Sequence, residues 1–419
     1  MTIVIERVLV SEILDGRTPL ILVAGWNGPT DATARSLLGP GTVVLHHDLD
    51  LVNEGVVRRT VTTWENDHAR ERVGILELAH GCISCTLRED LLPLLRTLHS
   101  RSSVQRIVLH LDRRLEPEAV CWAIEHVVVA GVGQIDGPAS RDVRVEAVVT
   151  CVDASTWLDD ATGDEPIDDD RTVAQIAVGQ VDHADALVVT GSAGDGWQQA
   201  KLHAVLARLA PVAPIAWGDG TDIEDLLARV PSDARRGTVA DAHSPLLRGQ
   251  PPLGSDCGVT IVEFEAQRPF HPQRLHEAID VLLDGVVSSR GRVWVATQPD
   301  EALWLESAGG GLRVASADRW LAAMTAEEQE AVPTARRAMA ALRWDERFGD
   351  RHSSIVVLVH SADPSEIDRT LQWALVSDDE LADESVWSTW SDPFGQFHED
   401  PCETTESPYA EQDEREGQQ

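Results

Sequence analysis

Short apolar runs rich in β-branched residues alternate with helical patterns through the first half of this 419-residue chain. The clearest helical pattern covers residues 86–99, whose leucines recur at helical spacing and form one apolar face. Such alternation is typical of βαβ units, whose strands form a mostly parallel sheet covered by helices. The predicted strands are 20–24, 42–45, 56–64, 74–78, 106–111, 145–152, 186–190 and 213–217.

The second half of the chain is organised differently. Residues 231–258 are rich in Pro, Gly, Ser, Asp and Arg without any period, which indicates a linker. We therefore predict an N-terminal extension (1–17), an α/β domain (18–230), this linker, an α+β module (259–376) and an acidic, aromatic-containing C-terminal segment (377–419). In the module, the antiparallel strands are predicted at 259–265, near 292–296, 302–306, 312–315 and 354–360, and the helices at 272–283, about 320–343 and 364–375.

The formal net charge of −35 argues against direct, non-specific binding to nucleic acid, which depends on basic side chains that displace phosphate counterions. A surface of this sign suits basic protein partners, although solubility alone explains it equally well. The chain starts with an early acidic residue, and no apolar run approaches the roughly 20 residues that span a bilayer. Its six scattered cysteines do not indicate a disulfide framework. We therefore expect a cytoplasmic protein with no membrane partner.

The first predicted strand ends at Gly25, and a strand–glycine–helix turn in this position is the usual place of a phosphate-binding loop. In a working loop, G-x-x-x-x-G-K-[ST], backbone amides cradle the phosphates, the Lys neutralises them and the hydroxyl holds Mg²⁺. Counted from Gly25, Thr30 occupies the second Gly position, Asp31 the Lys position and Ala32 the Ser/Thr position. A carboxylate thus stands where a cation is required, and a threonine is expected to cap the helix instead. The degenerate nucleotide loop is predicted to comprise Gly25, Gly28, Thr30, Asp31 and Thr33.

A second nucleotide-binding element is also missing. After the predicted strand 186–190, a GTPase of this layout presents Asn-Lys-x-Asp to hold guanine, whereas residues 190–195 read Thr-Gly-Ser-Ala-Gly-Asp. Because two independent elements have been lost, we expect neither GTP as a cofactor nor GTP hydrolysis.

The loop at residues 79–86 is a candidate metal site. Cys82 and Cys85 have the C-x-x-C spacing that lets two sulfurs bind one ion, and the N-terminus of the following helix favours their thiolates. His80 is the candidate third ligand and zinc the candidate metal. Two alternatives remain open, namely reduced thiols without metal and a redox pair, the second being the weaker. The fourth ligand is expected to be water or a distant residue such as His46, His47 or His110.

Three segments of the chain resemble the CobW-type branch of the P-loop GTPases, whose members are proposed metallochaperones. Residues 81–91 read Gly-Cys-Ile-Ser-Cys-Thr-Leu-Arg-Glu-Asp-Leu, against Gly-Cys-x-Cys-Cys-Thr-x-Arg-x-Asp-Leu in the family. Residues 268–294 reproduce the signature of its C-terminal domain, and Val-Asp-Ala (152–154) with Gln-Ile-Ala (175–177) is the third match. The resemblance implies an α/β fold with a degenerate P-loop NTPase-like domain and a mostly parallel sheet, followed by a smaller α+β CobW C-terminal domain.

The chain differs from the family pattern in the loop of the candidate metal site. Ser84 replaces the middle of three cysteines, and His80 replaces an asparagine. Within the family, the chain is similar to the actinobacterial, zinc-repressed CobW-like paralogues encoded with zinc-independent ribosomal proteins. This narrower resemblance implies a non-catalytic adaptor that promotes ribosome hibernation under zinc starvation by recruiting a basic hibernation-promoting factor to the 30S ribosomal subunit. The alternative is a zinc metallochaperone with residual nucleotide binding.

Two surface features have two interpretations each. The aromatic residues Trp387, Trp390, Phe394 and Phe397 lie beside an acidic tail and suit either a docking segment for a basic protein or, somewhat better, a segment that folds back onto its own domain. The basic run 290–292 is either a contact point or a solvated turn.

Overall fold

The N-terminal domain is built on a large, mostly parallel sheet, as predicted, in a computed structural model that describes residues 16–78, 82–131 and 134–395. Its apolar runs form strands because β-branched residues fit the pleated, doubly covered surface of such a sheet. In chain order the strands are β1 (Thr18–Ala24), β2 (Thr42–Asp48), β3 (Val56–Glu65), β4 (His68–Glu77), β5 (Arg106–His110), β6 (Val129–Gly131), β7 (Gln134–Gly137), β8 (Val143–Asp153), β9 (Ala186–Thr190) and β10 (Ile215–Trp217).

Eight of these strands share one sheet in the order β10-β9-β8-β1-β5-β2-β3-β4, and β6 pairs with β7 in a separate hairpin. All neighbours from β10 to β2 are parallel, whereas β3 and β4 form an antiparallel hairpin at the edge. The predicted strand 74–78 is therefore only the last part of β4. Asn66 and Asp67 form the tight turn before it, and both have positive φ (52° and 62°).

Helices cover both faces of this sheet. The predicted helix 86–99 begins three residues earlier, at Ile83, because the thiol of Cys82 caps it by accepting a hydrogen bond from the amide of Cys85 at 3.3 Å. It contains one π-helical turn. The helices of the domain are α1 (Thr30–Ser36), α2 (Ile83–Thr86, the π turn Leu87–Leu91 and Leu92–His99), α3 (Pro117–His126), α4 (Trp157–Thr162), α5 (Val173–Asp182), α6 (Gly196–Leu209) and α7 (Ile223–Leu227).

The C-terminal domain is an α+β unit on a five-stranded antiparallel sheet of order β11-β15-β12-β13-β14. Its strands are β11 (Thr260–Ala266), β12 (Val286–Val293), β13 (Glu301–Ala308), β14 (Gly311–Arg319) and β15 (Ser353–Val359). Its helices are α8 (Pro272–Ala278), α9 (Ala326–Ala331), α10 (Thr334–Arg343), α11 (Pro364–Ala374) and α12 (Asp378–Ala382).

One strand prediction in this domain is wrong. β12 ends at Val293, whereas the sequence placed a strand near 292–296. The apolar run 293–296 is buried, but it leaves the sheet to pair with Phe270, whose amide donates to the carbonyl of Trp294 at 2.7 Å. Burial outside the sheet therefore produced the misleading pattern.

The predicted linker is packed between the two domains. Arg248 of this segment forms an ion pair with Asp182 at the end of α5, and Arg290 of β12 reaches the same carboxylate at 2.8 Å. The side chain of Arg290 is 18% exposed and also donates to the carbonyl of Leu246. The interpretation of this run as a solvated turn is therefore wrong, and its role as a contact point stays a prediction.

The aromatic C-terminal segment folds back onto its own domain, as the second interpretation predicted. Trp387 is buried against Trp294, with ring centroids 6.3 Å apart, and Trp390 stacks on His271 at 4.3 Å. Phe394 is also buried, and Phe397 lies outside the described residues. In the described part of the chain, no helix combines the length and apolar character needed to cross a bilayer.

Candidate functional site

The loop after β1 lies directly against the end of β8. A Cβ atom on Gly25 would fall 2.4 Å from the carbonyl oxygen of Cys151, and one on Gly28 would fall 2.4 Å from its carbonyl carbon and oxygen. Any side chain at these positions would displace the backbone of a central strand. The glycines are therefore explained by packing, without a bound phosphate.

The side chains of this loop are engaged with the protein. The amide of Asn27 donates to Asp160 at 3.0 Å, and the guanidinium of Arg113 lies 5.0 Å from the ring centre of Trp26. Asp31, at the position of the phosphate-binding lysine, instead forms an exposed ion pair with Arg35 at 2.8 Å. The position of the phosphate-binding lysine is therefore occupied by a carboxylate that is paired within α1.

The threonines of the loop do not cap α1 as expected. The helix follows Pro29 without a side-chain cap, although Thr30 is its first residue. Thr33 is buried, and its hydroxyl accepts a hydrogen bond from the thiol of Cys151 at 3.3 Å. Thr33 is therefore part of the core contact between α1 and β8.

The guanine-binding position has also acquired a structural role. Asp195 caps α6, because its carboxylate accepts hydrogen bonds from the amides of Trp197 and Gln198 at 3.0 and 2.9 Å. Together with the carboxylate of Asp31, this geometry does not fit a Mg²⁺-bound guanine nucleotide in the usual P-loop mode.

The two cysteines of the candidate metal site are brought together at the start of α2. Their sulfurs lie 3.0 Å apart, so they are thiols rather than a disulfide, in which the distance is about 2.05 Å. Two sulfurs bound to one tetrahedral zinc ion at about 2.3 Å each lie roughly 3.7 Å apart, so a small side-chain rotation would suit Cys82 and Cys85 to the metal. His80 lies outside the described residues, and its role stays a prediction.

The three histidines considered as a fourth ligand are on different faces of the sheet. His46 and His47 are neighbours in β2, so their side chains point in opposite directions. His46 stacks on His110 of β5 at 4.3 Å, on the face of α1, and burial lowers the pKa of His110 to about 4. Of the three, His47 alone faces α2, whose N-terminus carries the cysteines.

His47 belongs to a buried network that the sequence analysis did not identify. Its Nε2 lies 2.7 Å from the carboxylate of Asp90 in the π turn of α2, and Arg59 of β3 forms an ion pair with the same carboxylate. The network ties the cysteine-bearing helix to two strands. The sequence signal that could have identified this network is Asp90, the aspartate that residues 81–91 share with the family pattern.

An acidic cluster beside this network is accounted for by arginines. Carboxylate oxygens of Asp48, Asp50 and Asp112 lie within 4.8 Å of one another. However, Arg58 forms an ion pair with Asp48, and Arg114 reaches Asp112 at 3.1 Å and Asp50 at 3.6 Å. Each carboxylate of the cluster therefore already has an arginine partner.

Comparison with known proteins places the chain in a family. Residues 50–216 match the CobW/HypB/UreG nucleotide-binding domain, and residues 259–375 match the cobalamin synthesis protein cobW C-terminal domain. A Mycobacterium tuberculosis protein named zinc chaperone Rv0106 is 52% identical over 387 residues, which is 92% of this chain and 95% of that protein. The chain belongs to the CobW family. Its nucleotide-binding match begins after the loop that contains Gly25 and Thr33.

Two more distant similarities were also found. The zinc-regulated GTPase metalloprotein activator 1 of Dictyostelium discoideum is 24% identical over 365 residues, covering 83% of this chain and 74% of that protein. Among solved structures, the Zn(II)-bound YjiA GTPase from E. coli is 15% identical, with a TM-score of 0.37 over 86% of this chain and 99% of that one.

Proposed function

We propose that this chain is a zinc-handling CobW protein that acts as an adaptor and not as a GTPase. The observation that carries the proposal is the pair of thiols at the start of α2, whose sulfurs lie 3.0 Å apart, so that a small side-chain rotation would let both bind one zinc ion. The name of the mycobacterial relative, zinc chaperone, supports the choice of metal.

The loss of nucleotide chemistry supports the adaptor role. Asp31 repels a phosphate tail, and the loop around it is packed on Cys151. A protein that keeps two of the family's three cysteines but lacks the phosphate-binding lysine would retain a metal-responsive surface without an energy-consuming step.

The finer proposal concerns the partners. Resemblance to zinc-repressed paralogues such as the mycobacterial Mpy recruitment factor implies recruitment of a basic hibernation-promoting factor to the 30S subunit when zinc is scarce. A formal charge of −35 favours a basic protein partner through electrostatic attraction. The contacts are expected to be made to proteins and not to bare RNA.

Zinc binding would move the two cysteines at the start of α2. Cys82 and Cys85 would hold the ion, with His80 as the predicted third ligand. Asp90 lies in the same helix and is bound to His47 and Arg59, so a shift of the cysteines would be transmitted to β2 and β3.

Zinc content tests the metal site. We expect about one zinc ion per chain in the purified protein and its loss in the Cys82→Ser/Cys85→Ser variant, measured by plasma mass spectrometry. Cys257→Ser is the matched control, because this cysteine lies in the linker and should leave the zinc content unchanged. Equal zinc in the double variant and the wild type would reject the site.

Ribosome binding tests the adaptor. We expect the protein to co-sediment with 30S subunits and a hibernation factor from zinc-starved cells and to be absent from those of zinc-replete cells. The Cys82→Ser/Cys85→Ser variant should lose this dependence on zinc. No enrichment in starved cells, together with saturable GTP binding, would instead favour a metallochaperone with residual nucleotide binding.

A further inference from the structure

The last strand of the large sheet, β4, has an open edge. β4 pairs with β3 on one side, and in the described part of the chain no strand pairs with its other side. The ladder with β3 runs without a bulge over all ten residues of β4. A long, regular edge of this kind offers a row of unpaired N–H and C=O groups to another strand, and proteins usually protect it.

The second half of β4 lacks the usual protection. Residues 70–72 read Arg-Glu-Arg, but residues 73–76 read Val-Gly-Ile-Leu and contain neither a charge nor a proline. Val73 and Ile75 lie on the same face of the strand, and each is 61% exposed. An exposed apolar stripe therefore borders the open edge.

The backbone groups available at this edge are those of the odd-numbered residues. The two-residue turn of the hairpin is closed by the pair Glu65 and His68, and hydrogen-bonded and non-hydrogen-bonded pairs alternate from there. The even-numbered residues of β4 therefore bond to β3, and the pattern continues past the strand, where the amide of Leu78 donates to the carbonyl of Gly55 at 2.8 Å. The N–H and C=O groups of residues 69, 71, 73, 75 and 77 point away from β3.

We propose that residues 3–9 of the same chain form a strand that pairs antiparallel with this edge. These residues lie outside those that the structure describes, and they read Ile-Val-Ile-Glu-Arg-Val-Leu, a run rich in β-branched residues with one acid and one base at its centre. Their side chains complement those of β4, and the chain that joins them to β1 has the required length.

One register matches both the charged and the apolar residues. With Ile5 opposite Val73, two pairs of opposite charge lie next to each other along the strands, and each exposed apolar side chain of β4 is covered by an isoleucine. Opposite charges and β-branched residues that face each other across two strands stabilise the pairing. The facing pairs are Ile3–Ile75, Ile5–Val73, Glu6–Arg72 and Arg7–Glu71.

Neighbouring registers are disfavoured by charge. A shift of one residue in one direction brings Glu6 opposite Glu71. The same shift in the other direction brings Arg7 opposite Arg72, and a shift of two residues places a charged side chain opposite an apolar one. Both charges on β4 are accessible despite their ion pairs within the sheet domain, since the side chains of Glu71 and Arg72 are 42% and 62% exposed.

The connection to β1 is long enough for this pairing. β1 and β4 run in the same direction, so Thr18 and Ala69 lie at the same end of the sheet. The added strand would be five strand positions from β1, or about 24 Å, and the nine residue steps from Leu9 to Thr18 span up to about 30 Å. A segment that ends opposite Ala69 runs antiparallel to β4, as proposed.

The pairing would also hold the strand that leads into the candidate metal site. β4 ends at Glu77, five residues before Cys82. A strand bonded on both sides fixes the start of the following loop more firmly than a strand bonded on one side.

Disulfide cross-linking of the full chain tests the proposal. Val8 and Arg70 face each other in the proposed register as a non-hydrogen-bonded pair, whose side chains are close enough for a disulfide. We expect Val8→Cys/Arg70→Cys to form an intrachain disulfide under mild oxidation, with a yield about tenfold higher than Val10→Cys/Arg70→Cys, which is displaced by two residues on the same face. Peptide mass spectrometry identifies the link, and a non-reducing gel separates it from a link between two copies.

Hydrogen exchange of the full chain, followed at single-residue resolution, gives an independent measurement. The amides of Val73 and Ile75 point to the open edge, so we expect protection in the wild type that falls about tenfold or more in Ile5→Pro. Ser11→Pro lies in the connection and is the matched control, which should keep the protection. A disulfide formed only between two copies, equal yields from both cysteine pairs, or unprotected amides at Val73 and Ile75 in the wild type would overturn the proposal.

Discussion

The carboxylate of Asp182 and the guanidinium of Arg290 lie 2.8 Å apart across the boundary between the two domains. Arg248 of the linker binds the same carboxylate, and Arg235 approaches it at 3.7 Å. These arginines hold the pKa of Asp182 far below its usual range, although burial acts in the opposite direction. One acidic side chain at the end of α5 thus joins three segments of the chain.

Removing this charge should destabilise the protein strongly. Asp182→Asn leaves three part-buried arginines without their shared counterion, and breaking a buried pair in this way costs about 3–5 kcal/mol. Urea denaturation followed by tryptophan fluorescence measures the loss. Asp368→Asn, on the exposed face of α11, is the control and should change the free energy of unfolding by less than about 0.5 kcal/mol. Equal effects of the two changes would contradict the role assigned to Asp182.

Stability should fall as the pH is lowered from about 6.5. Burial lowers the pKa of His110 and of His243 to about 4 and that of His183 to about 3, below the unfolded value of about 6.5. The unfolded chain therefore takes up protons that the folded chain does not, which destabilises the fold by about 1.4 kcal/mol per pH unit for each histidine. Burial raises the pKa of Glu118 and Glu306, which offsets the loss towards pH 5.

Urea midpoints at pH 7.0, 6.5, 6.0 and 5.5 measure this slope. His183→Gln should reduce it by up to about 1.4 kcal/mol per pH unit, the contribution of one histidine, because Gln does not titrate and its carbonyl can accept the hydrogen bond that Nδ1 of His183 accepts from Arg235. His68→Gln, at the exposed start of β4, is the control for the substitution itself and should change the urea midpoint at pH 7 very little. A stability independent of pH between 7 and 5.5 would show that these histidines are not buried as described.

The glycines of the former phosphate loop should be required for packing. Gly28→Ala places a Cβ atom 2.4 Å from the backbone of Cys151, and a central strand cannot move aside, so we expect a loss of about 1–3 kcal/mol. Gly39→Ala meets nothing within 4 Å and should be neutral or stabilising by up to about 1 kcal/mol. Thermal unfolding compares the two. A neutral Gly28→Ala would mean that the loop stands away from β8.

The contacts of Asp90 with His47 and Arg59 give a further test. Asp90→Asn removes the charge that Arg59 and His47 share in a buried position, and we expect a loss of about 1–3 kcal/mol. Glu89→Gln changes the neighbouring, exposed acid of the same turn and should have little effect. Chemical denaturation of the two variants distinguishes the anchoring role of Asp90 from a general effect of charge in the π turn.

Sequence patterns predicted the secondary-structure elements better than the contacts between them. The order of strands and helices in both domains followed from local periodicity, and the proximity of Cys82 and Cys85 followed from their spacing. The ion pairs of Asp182 and the contacts of Asp90 with His47 and Arg59 combine residues from segments far apart in the chain, and no local sequence pattern predicts that they meet. The strand predicted near 292–296 was misplaced, because the apolar run that packs against Phe270 has the sequence pattern of a strand.

The C-terminal aromatic segment should contribute to the stability of its domain. Trp387 is buried among apolar residues of the C-terminal domain, and its indole N–H donates to the carbonyl of Glu380 at 2.9 Å. Trp387→Ala should therefore cost about 3–5 kcal/mol, as for other large core residues. Trp373→Ala is the matched control, because half of Trp373 is exposed on α11. If Trp387→Ala left the midpoint of urea unfolding unchanged but weakened binding to a basic partner, the segment would be a docking surface after all, and its observed packing would not be the state that matters in solution.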